Sequence, residues 1–461
     1  MIYEEPKVGV SHKLKPSHRK PSNLLNPTAD RPRHPVPHGH QRICRRPFTG
    51  SVVRQFRHTL VDSDLAIAGA AAATSKTSNG RDVCVSLYRV AAPPATSWVQ
   101  LYTDDKVFRN PTIVRADGDH LLIHMIVAVE GMFKALYPRN FFVYRADLDR
   151  PCLWPLPPPS DWWRTRSDHT GIARNGDRFV VASFRKECVV IDIDDPTAGE
   201  VESAVLQLYR SGTGRWETKQ LDMPYDEDAG LVEHTWQTDA VFSFNGFIGW
   251  ADYHHGIMLC NVFSPDPELR FVPFPGNEKT WRRDGYGRPT MYRTVSSSRG
   301  RLRFVDVNNG CDNRWSVARG DVNSRCSVTT WTLRMPELDE WEMDATLRVQ
   351  DLWSAPSYRD SHLPRTMPTS PVISLQEANV VHFVVKDDEP GYYGKAWVVT
   401  VDMENKSGGR HELYLNPVKG SGIDITNVFL DCPLVAATLS CNLTPDASEE
   451  NSMASGATKH I

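Results

Sequence analysis

The clearest pattern of hydrophobic and polar positions lies in Thr238–Pro275, where four short apolar runs are separated by three turn-like segments. Asn245-Gly246 separates the first two runs, and this pair favours the two positive-φ positions of a type I′ hairpin turn. The second turn is Tyr253–Gly256. The third is Ser264–Glu268, whose two prolines cannot donate to a strand ladder. The segment is therefore predicted to form one four-stranded antiparallel sheet.

A two-part unit of this kind recurs from Ser51 onward, and such internal repeats indicate a fold built from repeated structural units. The first part is a hairpin with an Asp-Gly, Asn-Gly or Arg-Gly turn, or without glycine in the last copy, found at 112–123, 171–181, 240–248, 292–305 and 372–383. The second part pairs an apolar strand with a strand that often opens on tryptophan and closes near Leu-x-Pro, found at 83–101, 141–157, 205–221, within 238–275, at 327–343 and at 396–415. About six such units predict an all-β fold, a β-propeller of about six four-stranded antiparallel blades. One or two β-sandwiches are the alternative.

The two ends of the chain differ from the repeats. Residues 1–50 are rich in Lys, Arg, His and Pro without apolar periodicity, which predicts a disordered basic tail. Residues 51–441 are predicted to form one propeller-like domain, and 442–461 a disordered polar tail. The first unit is the least regular, because Leu65–Thr74 is alanine-rich and compatible with a short helix. Gly422–Ser440 has strand-like composition without a second half, and it is expected to close the ring by pairing with the first sheet near Val52.

Composition and charge narrow the range of partners. The chain of 461 residues is 40% hydrophobic and 24% charged with a net charge of -3, which is ordinary for a soluble protein. Because residues 1–50 are strongly basic, the remainder is mildly acidic, and no nucleic acid is expected to bind the folded domain. No apolar run reaches the length of a membrane helix, and the nine scattered cysteines indicate reduced thiols. We expect an intracellular monomer, in the cytoplasm or the nucleus, that does not bind membranes.

Several motifs resemble those of a plant family called domain of unknown function 1618. They are Gly249–Val262, Pro267–Pro275, Tyr292–Val295, Leu302–Val307, Thr330–Leu333, Trp341–Asp344, Leu352-Trp353 and Pro371–Ser374. The resemblance covers about residues 249–386, with weaker similarity around Phe141–Ala146. The signature residues are predicted to be structural, and they are Trp250, Asp252, Gly256, Cys260, Phe271, Pro273, Arg293, Phe304, Asp306, Trp331, Trp341 and Trp353.

This resemblance also carries functional implications. The family is expanded in grasses, and some relatives resemble F-box-associated propellers, sometimes behind an F-box that recruits a ubiquitin ligase. Residues 1–50 lack the amphipathic helices of an F-box, which argues against a direct ligase-adaptor role here. The family has no assigned catalytic residues that could be transferred to this chain.

The most concentrated polar cluster is Asp252–His255. Neighbouring side chains in a strand or tight turn point apart, so His254 and His255 are predicted to be surface histidines of a turn rather than ligands of one metal ion. Nothing in the sequence brings His234 to them. Asp192–Glu200 is acidic, but Thr197 stands at the sixth place, where an EF-hand loop has glycine, so an acidic loop between strands is predicted. Ser211–Arg215 is predicted to be a turn between strands, not a phosphate loop.

Two functions from different classes are compatible with these patterns. The first is a non-enzymatic interaction module on a propeller scaffold, whose loops bind an unidentified protein partner. The alternative is an enzyme or small-ligand-binding propeller, with a site formed in the central channel by polar residues of the innermost strands. No catalytic, cofactor-binding or metal-binding residue is predicted, and no cofactor.

Overall fold

Antiparallel strands make up nearly all of the regular structure in the computed structural model. The structure describes residues 45–58, 70–161, 164–190, 200–275, 289–308, 326–387, 395–415 and 434–442. All of them belong to one unit, Cys44–Ile461. The predictions for residues 1–44, for the loop 191–199 and for the tail beyond 442 lie outside the described residues.

The strands form six sheets in chain order. The first sheet contains β1 (Arg45–His58), β2 (Ala70–Lys76), β3 (Asp82–Arg89) and β4 (Thr96–Thr103). The second contains β5 (Val107–Asp117), β6 (His120–Val127), β7 (Arg139–Arg145) and β8 (Cys152–Leu156). The third contains β9 (Thr170–Asn175), β10 (Arg178–Val190), β11 (Glu200–Arg210) and β12 (Arg215–Leu221). The fourth contains β13 (Ala240–Phe244), β14 (Phe247–Asp252), β15 (Gly256–Asn261) and β16 (Leu269–Pro273).

The last two sheets follow the same plan. The fifth contains β17 (Arg293–Ser298), β18 (Arg301–Asn308), β19 (Ser327–Leu333) and β20 (Trp341–Arg348). The sixth contains β21 (Thr369–Ile373), β22 (Val380–Lys386), β23 (Ala396–Asp402) and β24 (Ser407–Leu415). The final strand, β25 (Val435–Asn442), returns to the first sheet. The helices are α1 (Val349–Ser354), α2 (Pro356–Arg359) and the 3-10 turns Lys134–Leu136, Ser167–His169 and Pro289–Met291.

Turn chemistry explains the hairpins that the sequence predicted. Asn245 has φ 45° and Gly246 has φ 83°, so both central positions of the β13–β14 turn lie in the left-handed region, as in a type I′ turn. This turn sets Phe244 opposite Phe247 in the antiparallel register. The predicted four-stranded sheet in Thr238–Pro275 is confirmed as β13–β16.

Successive sheets pack face to face because side chains alternate across each strand. In β14, Ile248 and Trp250 enter a core shared with the third sheet, whereas Ala251 enters one shared with the fifth. Similar cores join the first sheet to the second, the second to the third and the fifth to the sixth. Leu434, directly before β25, packs on the core of the sixth sheet. The six sheets therefore form the blades of a β-propeller.

The C-terminal strand closes this ring. β25 pairs with β1 in an antiparallel register that sets Ala436 opposite Val52, which confirms the predicted partner. The first sheet nevertheless differs from the others, since it has five strands in the order β2-β3-β4-β1-β25. Its β1 runs parallel to β4 and begins at Arg45, before the predicted domain start at Ser51.

The alanine-rich stretch of the first unit is a strand rather than a helix over its described part. Ala70–Lys76 forms β2, and Ala73 pairs with Val85 of β3. Alanine favours helices in isolation, but pairing and burial at a sheet edge outweigh that preference. Residues 65–69 lie outside the described residues.

The innermost strands are β5, β9, β13, β17, β21 and β25, and they surround a central channel. At one end of the channel their hairpin turns meet, since Arg299 N donates to Leu375 O and the Asn245 side chain donates to Gly300 O. We call this end the turn face. The opposite end carries longer connections, including 128–138, 157–169 and 222–239, and we call it the loop face.

Candidate functional site

The central channel is a candidate site, with a volume of about 930 Å³. Valine, isoleucine and phenylalanine side chains share its wall with hydroxyl and charged groups. The charged residues along it are Arg115, Asp117, Arg166, Asp168, Asp239, Arg293 and Arg299. Its wall is therefore of mixed polarity and could hold a ligand with both apolar and charged parts.

Arg115, on β5, differs from the other channel arginines in its partners. Its Nη1 donates to the carbonyl oxygen of Val114 at 2.5 Å, and its buried Nε has no hydrogen-bond acceptor among the described residues. No described carboxylate lies within ion-pair distance of it. Burial lowers the pKa of Arg115, and the phenol of Tyr253 and the carboxylate of Asp168 oppose this effect.

Asp168 approaches Arg115 but is held by another arginine. Arg166 Nε and Nη2 donate to its two carboxylate oxygens at 3.1 and 2.6 Å, a bidentate pair. Burial raises the pKa of Asp168, but the contacts with Arg166 and His169 outweigh it, so the net pKa is lowered. Asp168 therefore favours its ionised form and is paired with Arg166, and both side chains are more than half exposed.

The predicted turn Asp252–His255 lies on the loop face between β14 and β15. Asp252 is fully buried and accepts hydrogen bonds from the backbone N–H groups of Gln237 at 2.7 Å and His254 at 2.9 Å. His255 Nδ1 lies 2.9 Å from the same carboxylate. The prediction of a turn is confirmed. His254 and His255 are only partly exposed in this turn, since both residues are half-buried.

Tyr253, in the same turn, lines the channel. Its side chain is buried, its N–H donates to Asp239 Oδ2 at 2.9 Å, and its ring stacks on Phe274 with centroids 5.9 Å apart. Burial raises the pKa of Tyr253 to about 12, so the phenol is neutral at physiological pH. Tyr253 can therefore offer a hydrogen bond without adding charge.

The signature pair Arg293 and Asp306 joins the fourth and fifth blades. Arg293 is only 5% exposed, donates to Asp306 Oδ1 at 2.7 Å and to the carbonyl oxygen of Tyr253, and lies 5.8 Å from the ring centroid of Phe304. Burial raises the pKa of Asp306, and the charge of Arg293 opposes it. The charge of Arg293 is thus engaged within the wall, unlike that of Arg115.

Tryptophan indoles repeat one contact between blades. Trp216 Nε1 donates to Pro157 O at 2.6 Å, and Trp341 Nε1 donates to Pro273 O at 2.9 Å. In each case the tryptophan is the first or second residue of an outermost strand, and the proline is the last residue of the preceding outermost strand or directly follows it. Trp250 Nε1 donates across blades to His169 O at 2.9 Å. At two blade contacts, therefore, the tryptophan of one outermost strand and the proline near the end of the preceding one are joined by a hydrogen bond.

The remaining signature residues also lie in blade contacts. A Cβ atom on Gly256 would stand 2.3 Å from Val272 O, so only glycine fits. Burial raises the pKa of Cys260 to about 12, which disfavours a reactive thiolate. The rings of Phe271, Trp331 and Trp353 pack on the cores of the fourth, fifth and sixth blades.

Glu202 is a buried carboxylate that the sequence did not single out. It accepts hydrogen bonds from Lys186 Nζ at 2.8 Å, from the Tyr225 hydroxyl and from His234 N at 3.1 Å, and so fixes the 222–239 connection. His234 lies beside Glu202, whereas His255 lies beside Asp252. No group of three metal-ligating side chains occurs in the part of the chain that the structure describes.

A second feature missed from the sequence is an apolar loop on the loop face. Met132, Phe133 and Leu136, in the β6–β7 connection, are 39%, 82% and 49% exposed. Short apolar stretches between two strands look like strand ends in sequence. The useful signal was Gly131, which separates these side chains from β6 and places them in a connection.

Comparison with known proteins supports the resemblance found in the sequence. Residues 250–382 match the sequence model of a family described as "Protein of unknown function (DUF1618)", which confirms the similarity for this segment. A putative F-box/kelch-repeat protein of Arabidopsis thaliana is 27% identical over 141 residues, which is 28% of this chain and 32% of that protein. The chain thus matches about a third of the length of this relative.

Solved structures show only distant likeness. AztD of Citrobacter koseri is 10% identical with a TM-score of 0.32, covering 76% of this chain and 74% of AztD. The GH43 protein BlXynB of Bacillus licheniformis is 10% identical with a TM-score of 0.26, covering 69% of this chain and 59% of that protein. Likeness at this level carries no functional conclusion. Within the described residues, no helix has both the length and the apolar character needed to cross a membrane.

Proposed function

We propose that the protein is a non-enzymatic interaction module whose protein partner docks on the loop face, anchored by the apolar loop 128–138. The observation that carries this proposal is the 82% exposure of Phe133, flanked by exposed Met132 and Leu136. Aromatic side chains and methionine are enriched at protein interfaces, and aromatic anchors account for much of their binding energy. Neighbouring Glu130 and Lys134 are exposed and supply a polar rim.

Internal hydrogen bonds and a ring contact with β5 restrain the loop, which favours binding. Met132 N donates to Val129 O at 3.2 Å, and Leu136 N donates to Phe133 O at 2.8 Å. The ring of Tyr137 meets that of Phe108 on β5 edge-on, with centroids 5.2 Å apart. These contacts reduce the conformational entropy that the loop would lose when a partner binds.

The experiment compares the full-length protein with two variants as tagged baits in plant cells. Phe133→Ser removes the anchor, and Met343→Ser is the matched control, since Met343 is 67% exposed but lies on β20, an outermost strand. Loss of an interface anchor costs about 2 kcal/mol or more, so partner recovery is expected to fall more than about tenfold for Phe133→Ser. The control should recover partners as the unmodified protein does. Equal recovery by both variants, or no reproducible partner, would count against the proposal.

A further inference from the structure

We infer that the central channel binds a small molecule carrying one carboxylate, with Arg115 as the residue that binds it. This goes beyond the proposed function, because it concerns a second ligand class and a site that does not include the apolar loop. The channel volume, the partners of its charged residues and the composition of its wall support this inference.

The four described arginines that line the channel differ in their partners. Arg166 is paired with Asp168, and Arg293 with Asp306. Arg299 is exposed at the turn face. Arg115 is half-buried, its Nε is buried without an acceptor, and no described carboxylate lies within ion-pair distance of it. Burying part of a guanidinium without an ion-pair partner is costly, and a bound anion would reduce that cost.

The carboxylates that line the channel restrict the charge of a ligand. Asp168 lies close enough to influence Arg115, and Asp117 and Asp239 also line the channel. Asp239 and Asp168 are held as acceptors, by Tyr253 N and by Arg166. Away from the exposed Arg299, Arg115 is the channel guanidinium with no described carboxylate within ion-pair distance, and three carboxylates also line the channel. This balance favours a singly charged carboxylate and disfavours phosphate, whose second charge would be repelled.

The apolar part of the channel wall indicates what the uncharged part of the ligand would be. The channel wall includes the partly exposed apolar residues Ala116, Ala240, Met291 and Val435, which offer apolar contact area. A volume of about 930 Å³ lies within the range of small-molecule sites. The neutral phenol of Tyr253 provides a polar group beside this surface. An aromatic monocarboxylate satisfies both the apolar wall and the unpaired guanidinium.

The test uses 4-fluorobenzoate as a probe of the full-length protein, followed by fluorine NMR line broadening. 4-Fluorobenzamide is the neutral counterpart of the same shape, and inorganic phosphate is the competing anion. Arg115→Gln removes the charge at similar length, and Arg115→Lys keeps the charge without the planar fork. Arg299→Gln is the matched control, because it removes another channel arginine at the turn face.

The expected result is saturable binding of 4-fluorobenzoate that is weakened about tenfold by Arg115→Gln, several-fold by Arg115→Lys and not by Arg299→Gln. 4-Fluorobenzamide should bind about tenfold more weakly than 4-fluorobenzoate, and phosphate should not displace 4-fluorobenzoate. If Arg115→Gln fails to fold, the Arg115→Lys comparison decides. Unchanged binding by a folded Arg115 variant, or no binding to the unmodified protein up to about 10 mM probe, would overturn the inference. Phe133→Ser should leave benzoate binding unchanged, which separates this site from the protein-binding loop.

Discussion

Truncation of Trp250 should reveal how strongly the third and fourth blades are held together. The side chain is fully buried, its ring centroid lies 5.4 Å from that of Phe184, and its indole N–H donates to His169 O at 2.9 Å. Both contacts reach from β14 into the third blade. Trp250→Ala is expected to lower the free energy of unfolding by about 3–5 kcal/mol through lost burial and the cavity left behind. This is a large share of the roughly 5–15 kcal/mol that stabilises a typical domain.

Two further variants separate the contributions. Trp250→Phe keeps an aromatic ring but removes the donor, so the unpaired carbonyl of His169 should cost about 1–3 kcal/mol. Met343→Ala, at a side chain that is 67% exposed, should change stability by less than about 0.5 kcal/mol. Urea unfolding followed by circular dichroism gives the midpoint and slope for each protein. A midpoint for Trp250→Ala equal to that of the unmodified protein would refute the assigned packing of the two blades.

The remaining predictions concern a buried carboxylate and a close backbone approach. Burial raises the pKa of Glu202, but hydrogen bonds from Lys186, Tyr225 and His234 N outweigh it and lower the pKa from 4.5 to about 2. Ionised Glu202 should therefore add about 3 kcal/mol to the free energy of unfolding above pH 4.5, and this contribution should be lost as the pH falls from 4.5 toward 2. In urea unfolding, the stability difference between the unmodified protein and Glu202→Gln should shrink over the same pH range. A pH-independent deficit would contradict this. Gly256→Ala should cost about 1–3 kcal/mol in thermal melts, since its Cβ would meet Val272 O at 2.3 Å, whereas Gly212→Ala, with no atom within 4 Å, should be neutral. Equal melting temperatures for the two glycine variants would show that the β16 backbone moves aside.

The blades were predictable because each contains a local signal that is repeated. Period-two apolar runs and glycine turns such as Asn245-Gly246 determine hairpins without reference to distant residues. Ring closure was also accessible, since the strand-like Gly422–Ser440 had no partner nearby. The first blade was less predictable because β1 pairs with β4 in parallel, across a long connection that leaves no turn signature in sequence.

The candidate sites were harder to predict, because they depend on which groups find partners in space. Arg115 and Arg293 are both arginines on innermost strands, yet Arg293 is paired with Asp306, whereas Arg115 has no described carboxylate within ion-pair distance. Nothing in the local sequence separates the two. Similarly, Asp252 and the adjacent histidines suggest chemistry in sequence, but the backbone N–H groups of Gln237 and His254 already occupy the buried carboxylate.

The matched family segment and the proposed binding residues lie in different parts of the ring. Residues 250–382 cover parts of the fourth and sixth blades and the fifth between them, where Trp250, Arg293 and Trp341 make contacts between neighbouring blades. Arg115 and Phe133 belong to the second blade and its loop, outside that segment. A buried contact between blades tolerates little change, whereas a loop or channel residue can be replaced without loss of the scaffold. A chain that shares only the signature is therefore expected to share the propeller without necessarily sharing the carboxylate site or the apolar anchor.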